Sequence, residues 1–145
     1  METIEWADFA RVELRVGTVV ELTELPQARR PAWVMIVDFG AELGMKKSSA
    51  RITDLYDRES LLGKQVVAVV NFPPKQIGQI MSECLVTGFY QEDGAVVLAV
   101  PDQPVPNGAR LASCISTIGY GTAQQDNLGL KTFNYINHGG SSHGK

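Results

Sequence analysis

Residues 66–70 read Val-Val-Ala-Val-Val, an apolar run in which four of the five side chains are β-branched. Branching at Cβ stiffens the side chain and favours extended backbone. A strand built from this run has no polar face, so both faces need cover and the strand must lie deep in a packed β structure. Pro73 and Pro74 stop it soon after, because proline has no N–H to give a ladder. The flanking sequence is patterned the same way. Val12, Leu14, Val16, Val20 and Leu22 fall on one face of a period-two run, with Glu13, Arg15, Glu21 and Thr23 on the other. That predicts a long half-buried strand, with Gly17 as its bulge or bend.

Further elements follow in order. Trp6 and Phe9, three apart, predict a short N-terminal helix. Trp33 to Phe39 reads as a second strand and Met45 to Ile52 as a third. Thr53 is the expected N-cap of a helical turn through Asp54, Leu55 and Tyr56. Gln65 to Asn71 makes the fourth strand, and a loop runs from Pro73 to Met81. Leu85 to Tyr90 and Ala95 to Val100 form a hairpin around Asp93-Gly94. Phe133, Tyr135 and Ile136 could add one short strand. A helix between the third and fourth strands of a small barrel is the OB-fold arrangement. The expected class is therefore all-β. It is a five-stranded OB-fold barrel with a short N-terminal helix, a short helix between strands 3 and 4, and terminal extensions. Another small β-barrel fits the composition too.

The 145 residues suit one ordinary domain, drawn here as 1–111 with a C-terminal extension over 112–145. Net charge is −3, which excludes a strongly basic coat but not a local basic patch. The charge is uneven. Residues 1–25 are acidic, whereas the stretch from 26 to 75 holds Arg29, Arg30, Lys46, Lys47, Arg51, Arg58, Lys64 and Lys75 and is net basic. Anionic partners should dock there. Cys84 and Cys114 are too few for a disulfide framework. The two histidines, His138 and His143, sit in a Gly/Ser-rich tail that fixes no geometry, so neither a histidine-based catalytic centre nor a metal site is expected. No nucleophile–base pair, phosphate-binding loop or other cofactor motif is legible, so no enzyme activity and no cofactor is expected. No apolar run is long enough to span a membrane, and Met1-Glu2-Thr3-Ile4-Glu5 has no signal-peptide pattern, which gives a cytoplasmic expectation without membrane insertion.

Several residues suit ligand binding. On a strand, Lys47, Ser49 and Arg51 project together, with Lys46 and Ser48 opposite. Two cations flanking a hydroxyl suit a phosphate or a carboxylate, although a solvated strand face has the same composition. Asn71-Phe72-Pro73-Pro74-Lys75 ends the apolar strand. Phe72 could stack on a base or a peptide side chain, or simply cap the barrel, and Lys75 could hold a phosphate or a carboxylate. Arg29 and Arg30 lie on the loop between the first two strands. Ser82 and Glu83 open the hairpin, where Glu83 has no partner for catalysis and fits a structural hydrogen bond near the binding face. Apolar residues outside the barrel, namely Trp6, Phe9, Val34 and Ile36, need cover from a second copy of the chain or from the C-terminal tail.

The chain resembles the CsaA family of export-related chaperones, within the tRNA-binding-domain superfamily that includes the C-terminal domain of methionyl-tRNA synthetase. The resemblance rests on Asp8-Phe9, Leu14-Arg15-Val16-Gly17, Ala28-Arg29-Arg30-Pro31-Ala32 and Val37-Asp38-Phe39-Gly40. It continues through Lys47-Ser48-Ser49-Ala50, Ile52-Thr53-Asp54-Leu55-Tyr56, Val69 to Ile77, Ser82 to Val86 and Val105-Pro106-Asn107-Gly108. It implies an OB barrel forming a homodimer. It also implies two candidate activities, binding of unfolded or pre-export polypeptides and binding of tRNA. Synthetase-type relatives carry a Lys-Met-Arg-Gly run where this chain has Lys75-Gln76-Ile77-Gly78, so one cation is missing and the tRNA case is weaker. The resemblance leaves Ala112 to Lys145 without a counterpart.

Overall fold

The computed structural model describes residues 1–25, 31–112, 124–125 and 131–132. The chain divides into two compact units, Met1–Ala112 and Ser113–Lys145. In the first, α1 (Trp6–Ala10) leads into β1 (Leu14–Glu24), β2 (Trp33–Asp38), α2 (Gly40–Leu43), β3 (Met45–Ala50), α3 (Arg58–Leu61) and β4 (Gln65–Val69). Then come β5 (Lys75–Ile77), β6 (Ile80–Ser82), β7 (Leu85–Val86), β8 (Gly88–Tyr90) and β9 (Val96–Leu98). In the second unit the described residues form one antiparallel pair, β10 (Gln124–Gln125) with β11 (Lys131–Thr132). The positions Phe133, Tyr135 and Ile136, read as a short strand, lie outside the described residues, as do His138 and His143.

Five antiparallel strands in the order β3-β2-β1-β4-β7 curl into a nearly closed barrel with OB-like architecture. Val19, Met35, Val37, Phe39, Leu61 and Val66 are almost wholly buried at its centre. The alternation along β2 is as the sequence predicts, with Trp33, Met35, Val37 and Phe39 all joining the core. The apolar run of β4 is central, flanked by β1 on one side and β7 on the other.

Three expectations change. The β1 bulge is not at Gly17. The register slips between Val19 and Glu21, which turns Val19 rather than Val20 to the core alongside Leu22. Gly17 serves close approach instead, since a Cβ there would meet Val37 Cγ1 at 2.6 Å and Phe39 Cδ1 at 2.7 Å. The helix before β4 starts later than Thr53. Asp57 is its N-cap, accepting from the Ser60 backbone N–H at 2.8 Å, and Ser60 Oγ in turn accepts from the Asp57 N–H at 3.0 Å. Thr53 Oγ1 is turned to the Pro31 carbonyl, 3.5 Å away. Finally, the stretch read as a loop to Met81 contains the β5–β6 hairpin, with Ile77 registered against Ile80. Its two-residue turn begins at Gly78, whose φ of +59° suits the first position of a type II′ turn.

The start of β1 is completed by the far end of the unit. Val16 N–H donates to the Ala109 carbonyl at 2.9 Å, Gly108 N–H to Val16 at 2.7 Å and Leu111 N–H to Leu14 at 2.8 Å. Glu13 bridges two arginines there, with Arg15 Nε at 3.0 Å and Arg110 Nη2 at 3.2 Å. Arg110 Nη2 also donates to the Ala10 carbonyl at 2.9 Å, which ties α1 to the same spot.

Candidate functional site

The candidate residues separate into groups once the strands are in place. β3 pairs with β2 so that Lys47 stands opposite Ile36 and Ser49 opposite Val34. Paired residues share a face, so Lys47, Ser49, Val34 and Ile36 form one patch on the outside of the barrel. Ser48, on the opposite face, is buried. Val34 is buried and Ile36 half-buried. The other two apolar candidates, Trp6 (77% exposed) and Phe9, sit on α1 at the start of β1. Val34 and Ile36 register against Thr23 and Glu21, at the far end of the same strand. In one protomer the four residues expected at the interface thus lie towards the two ends of β1.

Glu83 lies beside Lys47. Its backbone N–H donates to the Lys47 carbonyl at 2.7 Å, and its carboxylate accepts the Lys47 backbone N–H at 2.8 Å. Ser82 is turned inward, 7% exposed, and its hydroxyl donates to the Cys84 carbonyl at 3.1 Å, so it faces the seam rather than solvent. Lys75 is registered directly opposite Ser82 on β5. Lys47 and Lys75 thus flank the Ser82–Glu83 step.

Asn71 has a task that the sequence did not announce. Its Oδ1 accepts from Glu13 N–H at 3.0 Å and its Nδ2 donates to the Arg11 carbonyl at 2.7 Å. Both ends of the amide hold the α1–β1 link in place. Phe72, the next residue, is 54% exposed and does not cap the barrel. Ile77, Met81 and Leu85 are exposed along the same stretch of chain. Arg51 follows β3 and is exposed, while Lys46 is half-buried on the Ser48 face. Arg29 and Arg30 lie outside the described residues. Sequence reasoning did not single out Phe89 and Tyr90, which stand exposed on the β8–β9 hairpin.

Cys84 is buried beneath this seam, and loss of water around it pushes the thiol up to about 11. A thiol held neutral is a poor nucleophile. Among the described residues no cluster of three or more His, Cys, Asp or Glu side chains could hold a metal ion.

Residues 14–110 match the model of a family described as a putative tRNA binding domain. The chain belongs to the putative tRNA binding domain family. Within that family it is a member of the CsaA group. A chaperone CsaA from Bacillus anthracis is 48% identical with a TM-score of 0.72, covering 77% of this chain and 100% of that one. A CsaA chaperone protein from Picrophilus torridus is 42% identical with a TM-score of 0.70, covering 76% and 100%. The methionine–tRNA ligase of Thermococcus kodakarensis is 35% identical over 112 residues, which is 77% of this chain and 14% of the ligase. The chain thus spans only about one seventh of the length of that ligase, and what it shares with it is an appended domain. The family that matches is a binding domain, and no helix among the described residues is long and apolar enough to cross a membrane.

Proposed function

We propose that this protein is an ATP-independent, homodimeric chaperone that binds unfolded or pre-export polypeptides in the cytoplasm, and that it is not an enzyme. The observation that carries the reading is the exposure of Phe72, Ile77, Met81 and Leu85 along the one stretch of chain that carries Lys75. Between Phe72 and Leu85 the charged residues are one lysine, Lys75, and one glutamate, Glu83. Such a surface gives its affinity through apolar contact, which an extended client supplies and a phosphate backbone does not. Lys47, Arg51 and Lys75 bias it toward segments that carry carboxylates. Two copies of the face in a dimer raise avidity for a long client.

The matched family supports a second reading, in which the same face binds tRNA in trans. If about four cations per subunit met phosphates, log K would fall against log salt with a slope of roughly −3 to −4.

Fluorescence anisotropy separates the two. The probes are a labelled, unstructured peptide rich in Leu and Glu and a labelled tRNA, each at several salt concentrations. Peptide binding that persists at high salt and is lost in Phe72→Ala supports the chaperone reading. Tight tRNA binding with a steep salt slope, and no peptide binding, overturns it in favour of the second. Sedimentation of the free protein checks the dimer.

A further inference from the structure

The last seam of the barrel is held by hydrogen bonds that run through the candidate site. β3 offers Lys47 at its outer edge, and only Glu83 meets both of its backbone groups, the N–H with a side chain and the carbonyl with a backbone N–H. The carboxylate stands where the carbonyl of a neighbouring strand would be in an ordinary ladder. Behind it, Ser48 and Ser82 are the two buried polar side chains among the described residues, and both donate to the Cys84 carbonyl at 3.1 Å. The seam is therefore a compact polar clip in which both buried hydroxyls are hydrogen-bonded. On its far side, Ser82 is registered against Lys75. One three-residue segment, Ser82 to Cys84, thus links the strand bearing Lys47 to the strand bearing Lys75.

We propose that Glu83 is a positioning residue, whose carboxylate clips β3 to this segment and so fixes where the Lys47 side chain is offered to an anionic group of the ligand. The role rests on the ligand reading above, whereas the clip itself does not. What matters in Glu83 is an acceptor oxygen at the right reach, not its charge. A glutamine keeps that oxygen, and an alanine removes it.

The test uses the full chain with Glu83→Gln and Glu83→Ala, with Glu83→Asp in place of the alanine if that variant does not fold. Hydrogen exchange at the Lys47 amide, read by NMR, reports the clip. Anisotropy with the labelled Leu/Glu-rich peptide, well below the unfolding temperature, reports the positioning. Glu83→Gln is expected to keep slow exchange and to bind within about twofold of the parent. Glu83→Ala is expected to exchange fast and to bind about tenfold more weakly while still folded, the size of one lost hydrogen bond. Equal loss in both variants overturns the proposal, because it makes the charge a direct ligand contact. Unchanged binding in Glu83→Ala despite fast exchange also overturns it, leaving a purely structural clip. A parent protein that binds no peptide overturns the ligand reading and the positioning role together, and the Lys47 exchange then reports on the clip alone.

Discussion

The seam at Ser82–Cys84 and the neighbouring β5–β6 hairpin invert the usual distribution of polarity. At the seam, polar side chains are buried and fully partnered, as Ser48 and Ser82 are on the Cys84 carbonyl. On the hairpin and its approach, apolar side chains, Phe72, Ile77 and Met81 among them, are left to solvent. A buried hydroxyl stays buried only when its hydrogen bond is made. Grouped apolar exposure costs solubility and marks a surface used by a partner. The contrast assigns stability to the first region, and the proposed function places binding on the second, although the Ser82–Cys84 segment follows the hairpin directly in the chain.

That division can be broken by mutation. The control of largest effect is in the barrel centre, where Phe39→Ala should cost about 3–5 kcal/mol in denaturant unfolding. If Phe72→Ala cost as much, the hairpin approach would belong to the core after all. The next effect is set by pH. Burial pushes the Cys84 thiol up to about 11 in the folded chain, above its ordinary value, so the unfolded chain gives up its proton first. Stability should therefore be complete below the ordinary thiol value of about 8.5 and fall by up to about 2–3 kcal/mol as pH rises toward 11. The difference between the parent and Cys84→Ala, unfolded at pH 8 and at pH 10.5, isolates it. Ser48→Ala combined with Ser82→Ala removes both donors from the Cys84 carbonyl and should cost about 1–3 kcal/mol, against a change near zero for Ser49→Ala on the outer face. The smallest stability change should be that of Phe72→Ala itself, within about 0.5 kcal/mol by thermal unfolding, accompanied by loss of peptide binding in anisotropy.

The sequence made the barrel legible where one physical signal dominated. Period two along β2 and the all-apolar run of β4 each named a buried face, and each is buried. It misled where two signals competed. Gly17 looks like a bulge because glycine often marks one, yet here the missing Cβ makes room for Val37 and Phe39, and the slip occurs at a valine. Thr53 and Asp57 are both acceptable caps, and only the position of Ser60 decides between them. The β5–β6 hairpin was illegible because strands of three residues, one of them exposed throughout, are too short to carry a burial pattern. For the site, residue type suggested Asn71 and Ser82 as contacts and Glu83 as a hydrogen bond near the binding face, without naming any partner. Their hydrogen-bond partners lie 58, 60 and 36 residues away in sequence for Asn71 and Glu83, and two residues away but buried for Ser82. Long-range pairing of that kind leaves no local trace in one sequence.

The contact between Arg110 and the Ala10 carbonyl brings the two ends of the first unit together at a single point. A folded body whose chain enters and leaves at one place is portable. It can be added to either end of another protein, or set into one of its surface loops, without its own barrel being stretched. In the methionine–tRNA ligase of Thermococcus kodakarensis the matched region makes up 14% of a much longer chain.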